Sequence, residues 1–310
     1  MISSFFLAAK SILPLFLIIL IGIGMVRLRI VHRGWVDVLN KYALWIGLPS
    51  LILVALVRLD FKFSEYSVLI LMNSGYLIFC TLLAFPISVV FKTTVKTKQS
   101  LFLLLGFGNI AYLGIPLISS ALGADALPSA IILSGVYPIW MFTLAIVLIE
   151  ITGHDKVHIF GILKRLVTNP LLISVIVGIL ISGLKIPVQS TLIKTLDLFG
   201  QSVTAVVLLS LGIFLGSQQI GRIKEWWPVC SLAIVTMIIL PGLFYFAARG
   251  SGMNNLQFRA SILDAAMPMG LTAYAMTEQY QLNALLTGRL VLLTTLLATV
   301  IHPVWIVFTA

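Results

Sequence analysis

Charged side chains are scarce in this sequence. Its 20 Lys and Arg and 10 Asp and Glu make up 10% of 310 residues, whereas 60% are hydrophobic. A soluble globular protein needs about a quarter of its residues charged to cover its surface, so the composition excludes that class. The mean hydropathy of +1.13 instead predicts an integral membrane protein that uses lipid as its solvent over most of its surface.

Cysteine is also rare, and the basic residues are not clustered. Cys80 and Cys230 both lie in apolar segments, which suits neither a disulfide framework nor a metal site. The formal net charge of +10 is spread over short loops. A nucleic-acid partner is therefore not predicted, because phosphate binding needs a clustered basic surface.

Apolar runs of spanning length follow one another along the whole chain and predict ten transmembrane helices. The predicted spans are approximately 5–26, 36–57, 66–91, 100–122, 127–149, 169–184, 192–215, 228–248, 257–277 and 284–309. An amphipathic stretch at 159–167 is expected to lie along the membrane interface.

The distribution of basic residues predicts the orientation. Loops after odd-numbered spans carry eleven Lys and Arg residues, and loops after even-numbered spans carry six. Because basic loops are retained in the cytoplasm, the odd loops are expected there and both termini on the non-cytoplasmic side. The protein is accordingly predicted to be a multi-pass protein of the plasma (inner) membrane.

Several features recur at offsets of 152 to 156 residues, close to half the chain length. The matched pairs are Pro14 with Pro170, Gly22 with Gly178, Lys41 with Lys194, Gly47 with Gly200, Pro86 with Pro241 and Pro116 with Pro268. We predict two five-helix repeats, 1–149 and 169–310, joined by a short cytoplasmic connector, 150–168. An odd number of spans per repeat inverts the second copy, which is the common plan of secondary transporters.

Proline and glycine interrupt the fourth and ninth predicted spans. Pro116 removes a main-chain donor and frees the carbonyl of Tyr112, and Pro268 is expected to free that of Asp264 in the same way. Glycines that weaken the two helices further are Gly106, Gly108, Gly114 and Gly270. In transporters with inverted repeats, interrupted helices meet near the midplane and their half-helix ends bind the cargo. Amino-terminal ends suit an anion, whereas released carbonyls and carboxylates suit a cation.

Two polar residues of these helices are the strongest candidates for function. Asp264 alone among the acids lies deep within a predicted span, where an ionisable group is functional by default. The alternative is a protonated Asp264 bonded to a neighbouring helix. Asn109 can bind a carboxylate or the main-chain gap beside it, and its alternative is an interhelical hydrogen bond. Weaker candidates, with helix packing as the alternative, are Tyr112, Ser50 after Pro49 and Tyr137 before Pro138.

Four segments carry the motifs of one known family. They are Asn109 with Gly114-Ile-Pro-Leu117, Thr168-Asn-Pro170, Ser210-Leu-Gly-Ile-Phe214, and Ala265-Ala-Met-Pro268 with Gly270. With these motifs the chain resembles the auxin efflux carrier family, which includes the plant PIN carriers and small bacterial permeases for organic acids or malonate. The resemblance covers all ten predicted spans, without the long central loop of many plant members.

The resemblance implies an all-α fold of ten transmembrane helices like that of bile-acid sodium symporters, with broken helices 4 and 9 crossing. It also implies a scaffold domain, a transport domain that moves as an elevator, a small carboxylate anion as substrate, and often a homodimer. Asn109, Pro116 and Pro268 match the family motifs. Plant carriers tend to have a neutral polar residue at the position of Asp264, and this departure favours coupling to a proton or a sodium ion.

The sequence thus predicts a secondary active transporter of a small carboxylate anion, coupled to H⁺ or Na⁺ through Asp264 and without another cofactor. The predicted substrate-site residues are Asn109, Tyr112, Gly114, Pro116, Pro268, Gly270, Ser50 and Tyr137. An ion-independent uniporter remains an alternative. An anion sensor would need an output module that no loop is long enough to form. An intramembrane enzyme would need catalytic partners, and the sequence has no His-Glu-x-x-His or Gly-x-Ser-x-Gly motif.

Overall fold

The protein is all-helical, as predicted. The computed structural model describes residues 2–58, 63–153, 160–161, 164, 167–218 and 226–310. Its helices are α1 (Ile2–Arg27), α2 (Gly34–Val57), α3 (Ser64–Val90), α4 (Val95–Leu104), α5 (Ile110–Leu122), α6 (127–152), α7 (Pro170–Gly183), α8 (Ser190–Gly216), α9 (Trp227–Ala248), α10 (Asn255–Ala265), α11 (Leu271–Gln279) and α12 (Ala284–Phe308). The predicted connector and the interfacial stretch lie partly outside the described residues.

Five of these helices, α2, α3, α8, α9 and α12, are long and apolar enough to cross a membrane. Shorter apolar helical stretches of 10–17 residues lie at Leu13–Arg27, Ile110–Leu122, Ala124–Tyr137, Thr143–Thr152 and Pro170–Gly183. Two of the predicted spans are each divided into a pair of shorter helices, α4 with α5 and α10 with α11. The composition and the long apolar helices together identify an integral membrane protein.

The helices pack in two groups. The first group contains α1, α2, α7 and α8, and the second contains α3 to α6 and α9 to α12. The groups meet where α1 packs against α12 and α5, where α8 packs against the start of α5, and where α7 packs against α6. Any cavity on this boundary is lined by both groups, so a movement of one group against the other would change its shape.

Repeat-matched glycines occupy matching contacts in the first group. A Cβ atom on Gly22 of α1 would lie 2.6 Å from a main-chain oxygen of α8, and one on Gly178 of α7 would lie 2.8 Å from a side chain of α2. Gly47 of α2 and Gly200 of α8 likewise each face the other helix. Small residues at helix contacts let main chains approach closely in membranes. Each half of the chain therefore supplies the same two kinds of contact.

Hydrogen bonds show which loops share a face of the molecule. Segments flanking the first, third, fifth and ninth loops are joined by bonds between Arg33 and Tyr274 (3.1 Å), Asn283 and Ser100 (3.0 Å), and Gln99 and Ile149 (2.8 Å). Segments flanking the even loops and the carboxyl terminus are joined by bonds between Arg58 and Asp197 (3.2 Å), Gln257 and Glu65 (2.7 Å), and Arg259 and Ile306 (3.4 Å). The chain thus alternates between two faces.

Proline widens the helical turn that precedes it at three places. The π-helical turns at Ala43–Gly47, Ile110–Gly114 and Val235–Ile239 each end two residues before a proline, at Pro49, Pro116 and Pro241. Proline lacks an N–H and its ring crowds the carbonyl four residues earlier, so an extra residue in the turn relieves both problems. Pro116 therefore lies inside the continuous helix α5. The prediction that Pro116 breaks the fourth span is wrong.

Candidate functional site

The two interrupted spans meet at their breaks. The first break is residues 105–109, between α4 and α5, and the second is residues 266–270, between α10 and α11. Gly108 and Met269 form an isolated antiparallel bridge, and the Asn109 N–H donates to the Pro268 carbonyl oxygen at 2.7 Å. We refer to this junction of residues 105–109 with 266–270 as the crossing.

Glycine makes the close approach at the crossing possible. A Cβ atom on Gly270 would lie 2.9 Å from the Gly108 carbonyl oxygen, and one on Gly108 would lie 2.8 Å from the Met267 Cβ. The Met269 N–H donates to the Thr294 hydroxyl of α12 at 3.0 Å, which ties the crossing to the second group. The N–H groups of Asn109 and Met269 thus find partners within the protein, as the bilayer interior requires.

The two carbonyls that precede the second break accept hydrogen bonds. The Asp264 carbonyl accepts a hydrogen bond from the Met267 N–H at 3.0 Å. The Ala265 carbonyl accepts one from the Tyr76 hydroxyl at 3.2 Å. The prediction that Pro268 leaves the Asp264 carbonyl free is therefore wrong, because the chain tightens at the end of α10 and supplies another donor.

Tyr112 and Asp264 do not occupy matching positions. Asp264 lies before its break, in the last turn of α10, whereas Tyr112 follows its break, in the first turn of α5. The two prolines differ in the same way, since Pro268 lies within a break and Pro116 within a helix. The sequence offset of 152 residues between Pro116 and Pro268 therefore does not align the two breaks.

A cavity of about 130 Å³ lies beside the crossing, where the two helix groups meet. Leu44 of α2, with Asn169 and Leu171 at the start of α7, lines it from the first group. The second group contributes residues of α6 and both sides of the crossing. The polar side chains of the lining are Asn109, Tyr112, Ser134, Tyr137, Asn169 and Thr272. None of the residues that line the cavity is charged.

Three helices begin at this cavity. In α5 the first N–H groups that donate to a carbonyl at the start of the helix are those of Leu113 and Gly114. The N–H groups of the lining residues 110–112 come before them in the chain and lie in the first turn, where helical hydrogen bonds have not yet begun. In α11 the first such N–H group is that of Tyr274. The N–H groups of the lining residues Thr272 and Ala273 therefore also lie before the first helical hydrogen bond. The Asn169 side chain, also in the lining, caps the start of α7. Helix starts carry a partial positive charge, so their convergence on an uncharged cavity favours an anion.

Asn109 presents an unused donor to this cavity. Its side chain is 2% exposed, and its Nδ2 has no hydrogen-bond partner among the described residues. The main-chain N–H of Asn109, and not its side-chain amide, donates to the Pro268 carbonyl across the crossing. The side-chain amide is therefore positioned to donate to a guest, because a buried donor without a partner is costly.

The other predicted substrate-site residues divide into two sets. Tyr112, Tyr137 and Gly270 line the cavity together with Asn109. The lining does not include Gly114, Pro116, Pro268 or Ser50. Of these, Pro268 contributes its carbonyl to the crossing. Ser50 is buried in α2 on a later turn than Leu44, the residue of that helix that does reach the cavity.

Three lining residues were missed as site candidates in the sequence. Asn169 was noted only as part of a family motif, although asparagine before a proline is the signature of a capped helix start. Its Oδ1 accepts hydrogen bonds from the N–H groups of Leu171 and Leu172 at 3.0 and 3.1 Å. Ser134 and Thr272 carry no local signal, because serine and threonine are common in packed membrane helices.

Asp264 lies behind the cavity and does not line it. Its side chain is 1% exposed, in the last turn of α10. The Tyr137 hydroxyl faces the Asp264 carboxyl closely enough for the two groups to interact. Neither carboxyl oxygen has a partner of full hydrogen-bond geometry among the described residues. Tyr137 therefore separates the acid from the cavity.

The comparison with known families can now be set beside this geometry. The model of a family described as membrane transport protein matches residues 7–306. The chain belongs to the membrane transport protein family. This confirms the resemblance to the auxin efflux carriers found in the sequence, and membership of a transport family indicates a transporter rather than an enzyme.

Relatives in this family are distant but extend over almost the whole chain. A protein of Rhizobium meliloti named "putative malonate transporter" is 24% identical over 298 residues, which cover 93% of this chain and 91% of that protein. An uncharacterized transporter of Methanocaldococcus jannaschii is 22% identical, with 95% and 96% covered. An uncharacterized transporter of Methanothermobacter thermautotrophicus is 23% identical, with 96% and 97% covered.

Proposed function

We propose that this family member is a secondary active transporter of a small carboxylate anion in the plasma (inner) membrane. The cavity beside the crossing is its substrate site. The single observation that supports this proposal is the convergence of three helix starts and the unpartnered Asn109 amide on one uncharged cavity. Main-chain dipoles and a neutral amide can hold an anion without the high cost of a buried cation.

The size of the cavity favours a small substrate. Its volume of about 130 Å³ is well below the roughly 300 Å³ at which sites for drug-sized ligands begin. A dicarboxylate of a few carbon atoms suits a site with helix starts on two sides. The name of the Rhizobium meliloti relative makes malonate the first substrate to test.

Transport would proceed by alternating access of the elevator type, with the α1, α2, α7 and α8 group as scaffold. The site lies on the boundary of the two groups, where a sliding movement would carry it across the membrane. Gly22 and Gly178 make equivalent contacts with neighbouring helices, and so do Gly47 and Gly200. These equivalent contacts support two inverted repeats. The repeats would be 1–149 and 169–310, with odd loops cytoplasmic and both termini outside. The transporter is further proposed to act as a homodimer.

Asp264 is the proposed coupling group for a proton or a sodium ion. One observation favours a second candidate function, an ion-independent uniporter, because Asp264 does not line the cavity. The two functions differ in one measurable respect. Only a coupled transporter accumulates substrate against its concentration gradient when an ion gradient is imposed.

The test is uptake of radiolabelled malonate into proteoliposomes, with a proton or a sodium gradient imposed separately. Asn109→Asp keeps the shape of the side chain and places a negative charge in the cavity. Loss of the donor and charge repulsion should raise KM about tenfold or more, equivalent to about 1.4 kcal/mol or more. Asn73→Asp is the matched control, because Asn73 is buried in α3 and does not line the cavity.

The Asn73→Asp protein should reach the membrane in lower amount but keep the parent KM in its folded fraction. The substrate site is misassigned if Asn109→Asp retains the parent KM. The transport proposal itself fails if the parent protein shows no saturable uptake of malonate, succinate or acetate.

A further inference from the structure

Resting on the proposed function, we infer that Tyr137 transmits the protonation state of Asp264 to the substrate cavity. The coupling ion is then a proton, and the proton and the substrate anion bind together. The site is one continuous unit of acid, phenol and cavity.

Tyr137 lines the cavity from α6, which packs against α10, and its hydroxyl interacts with Asp264. It belongs to α6, and its ring packs edge-on against Phe107 of the crossing at 6.0 Å and 88°. That contact fixes the ring between the crossing and α10. One side chain therefore belongs both to the cavity lining and to the surroundings of Asp264.

Asp264 has no basic partner among the described residues to hold it ionised. The ionisable groups that interact with it are Tyr137 of α6 and Tyr76 of α3, and Cys80 of α3 lies beside these two tyrosines. On the other sides of α10, α5 contributes Tyr112, which lines the cavity, and α9 contributes Tyr245, which packs on Phe258, and the exposed Cys230. Glu65 of α3 lies beside the start of α10, where its main-chain oxygen accepts from Gln257. His302 of α12 lies beside Leu263, and Asp125, in the turn before α6 that packs on α10, is exposed.

Several main-chain oxygens around Asp264 already accept hydrogen bonds. The carbonyls of Ile262, Asp264, Ala265 and Pro268 already accept hydrogen bonds from protein donors. Sodium sites in transporters use unwound main-chain carbonyls as ligands, so a sodium ion here would compete with these donors. A proton needs one oxygen with a lone pair, and both carboxyl oxygens of Asp264 offer that.

The protonation state of Asp264 decides whether the Tyr137 O–H donates to the acid or to the substrate. When Asp264 is ionised, the Tyr137 O–H donates to the carboxylate, and its lone pairs face the cavity, where they repel an anion. When Asp264 carries a proton, its own O–H donates to the Tyr137 oxygen. The phenol hydrogen is then free to donate to the substrate carboxylate. The proton stays on Asp264 throughout, so one proton enters with each anion.

The experiment uses malonate as the probe and compares the parent with Tyr137→Phe and Asp264→Asn. Parent affinity for malonate should strengthen as pH falls and should not change with sodium at constant pH. Tyr137→Phe should lose this pH dependence. Its accumulation driven by a proton gradient should fall about tenfold or more, within the usual range of a coupling energy.

Malonate counterflow, which exchanges labelled for unlabelled substrate without net proton movement, separates coupling from folding. Asp264→Asn supplies a permanent amide donor to Tyr137, so it should retain counterflow and lose gradient-driven accumulation. Tyr137→Phe lacks the phenol that donates to the substrate, so its counterflow should need a higher malonate concentration and should no longer respond to pH. Tyr245→Phe removes a tyrosine remote from the cavity, in α9, and should match the parent in both assays.

One measurement needs no variant. Malonate added outside parent proteoliposomes should acidify their interior, as reported by a trapped pH-sensitive dye. The inference is overturned if malonate enters without acidification, if uptake depends on sodium at constant pH, or if Tyr137→Phe keeps the parent pH dependence. In each of these cases malonate still moves, so the proposed transport function stands. Absence of any carboxylate uptake by the parent would instead refute the proposed function.

Discussion

Gly270→Ala tests the geometry of the crossing most directly. The added methyl group would lie 2.9 Å from the Gly108 carbonyl oxygen, 3.3 Å from its carbon and 3.5 Å from the Asn109 Cα. All three atoms are main chain, so no side-chain rotation can relieve the contact. Overpacking of this kind costs about 1–3 kcal/mol, which lowers the midpoint of thermal unfolding by about 2–4 °C per kcal/mol in domains of 150–250 residues.

The same substitution should also weaken substrate binding. Relief requires the two breaks to move apart, which displaces the start of α11 and the Asn109 side chain that line the cavity. We expect a lower melting temperature in detergent and a higher KM for malonate in proteoliposomes. The two effects share one cause, so they should appear together.

Gly75→Ala is the matched control. Gly75 lies inside α3, and a Cβ atom there would meet nothing within 4 Å. Alanine is the better helix former by roughly 0.5–1 kcal/mol, so this variant should be as stable as the parent or more stable, with an unchanged KM. The reasoning is refuted if Gly270→Ala melts and transports like Gly75→Ala.

Three further predictions follow from single contacts. Thr294→Val removes the acceptor of a main-chain N–H at the crossing and should destabilise the protein by about 1–3 kcal/mol, measured as a lower thermal midpoint; an unchanged midpoint would mean that the N–H finds another acceptor. Gly212→Ala should abolish accumulation of folded protein, because its methyl group would collide with the main chain of α1, whereas Gly24→Ala meets nothing within 4 Å and should be tolerated. A membrane-impermeant maleimide should label Gly250→Cys but not Lys98→Cys in intact cells; the opposite pattern would reverse the proposed orientation.

The sequence alone determined the class of the protein and the position of its unusual helices. Lipid cannot hydrogen-bond the main chain, so apolar runs must be helical and must have spanning length, and this constraint is visible in composition and spacing. It also makes a deep acid such as Asp264 and an interrupted helix stand out. The family motifs identified a transporter, which the match over residues 7–306 then confirmed.

Local reasoning was less successful at the breaks themselves. Pro116 and Pro268 look alike in sequence, but one is accommodated by a π-helical turn and the other lies in a gap. Whether a proline ends a helix depends on which neighbours accept the exposed main-chain groups. Those neighbours are distant in sequence, as the bond between Asn109 and Pro268 illustrates.

Only the tertiary structure decided how the candidate residues relate to each other. It brought Asn109, Tyr112, Tyr137 and Gly270 to one cavity, added Asn169 from the other helix group, and put Asp264 behind Tyr137. These relations depend on the packing of helices that are far apart in the chain. Hydropathy and spacing show which segments form apolar helices that cross the bilayer, but they do not show which helices pack against each other.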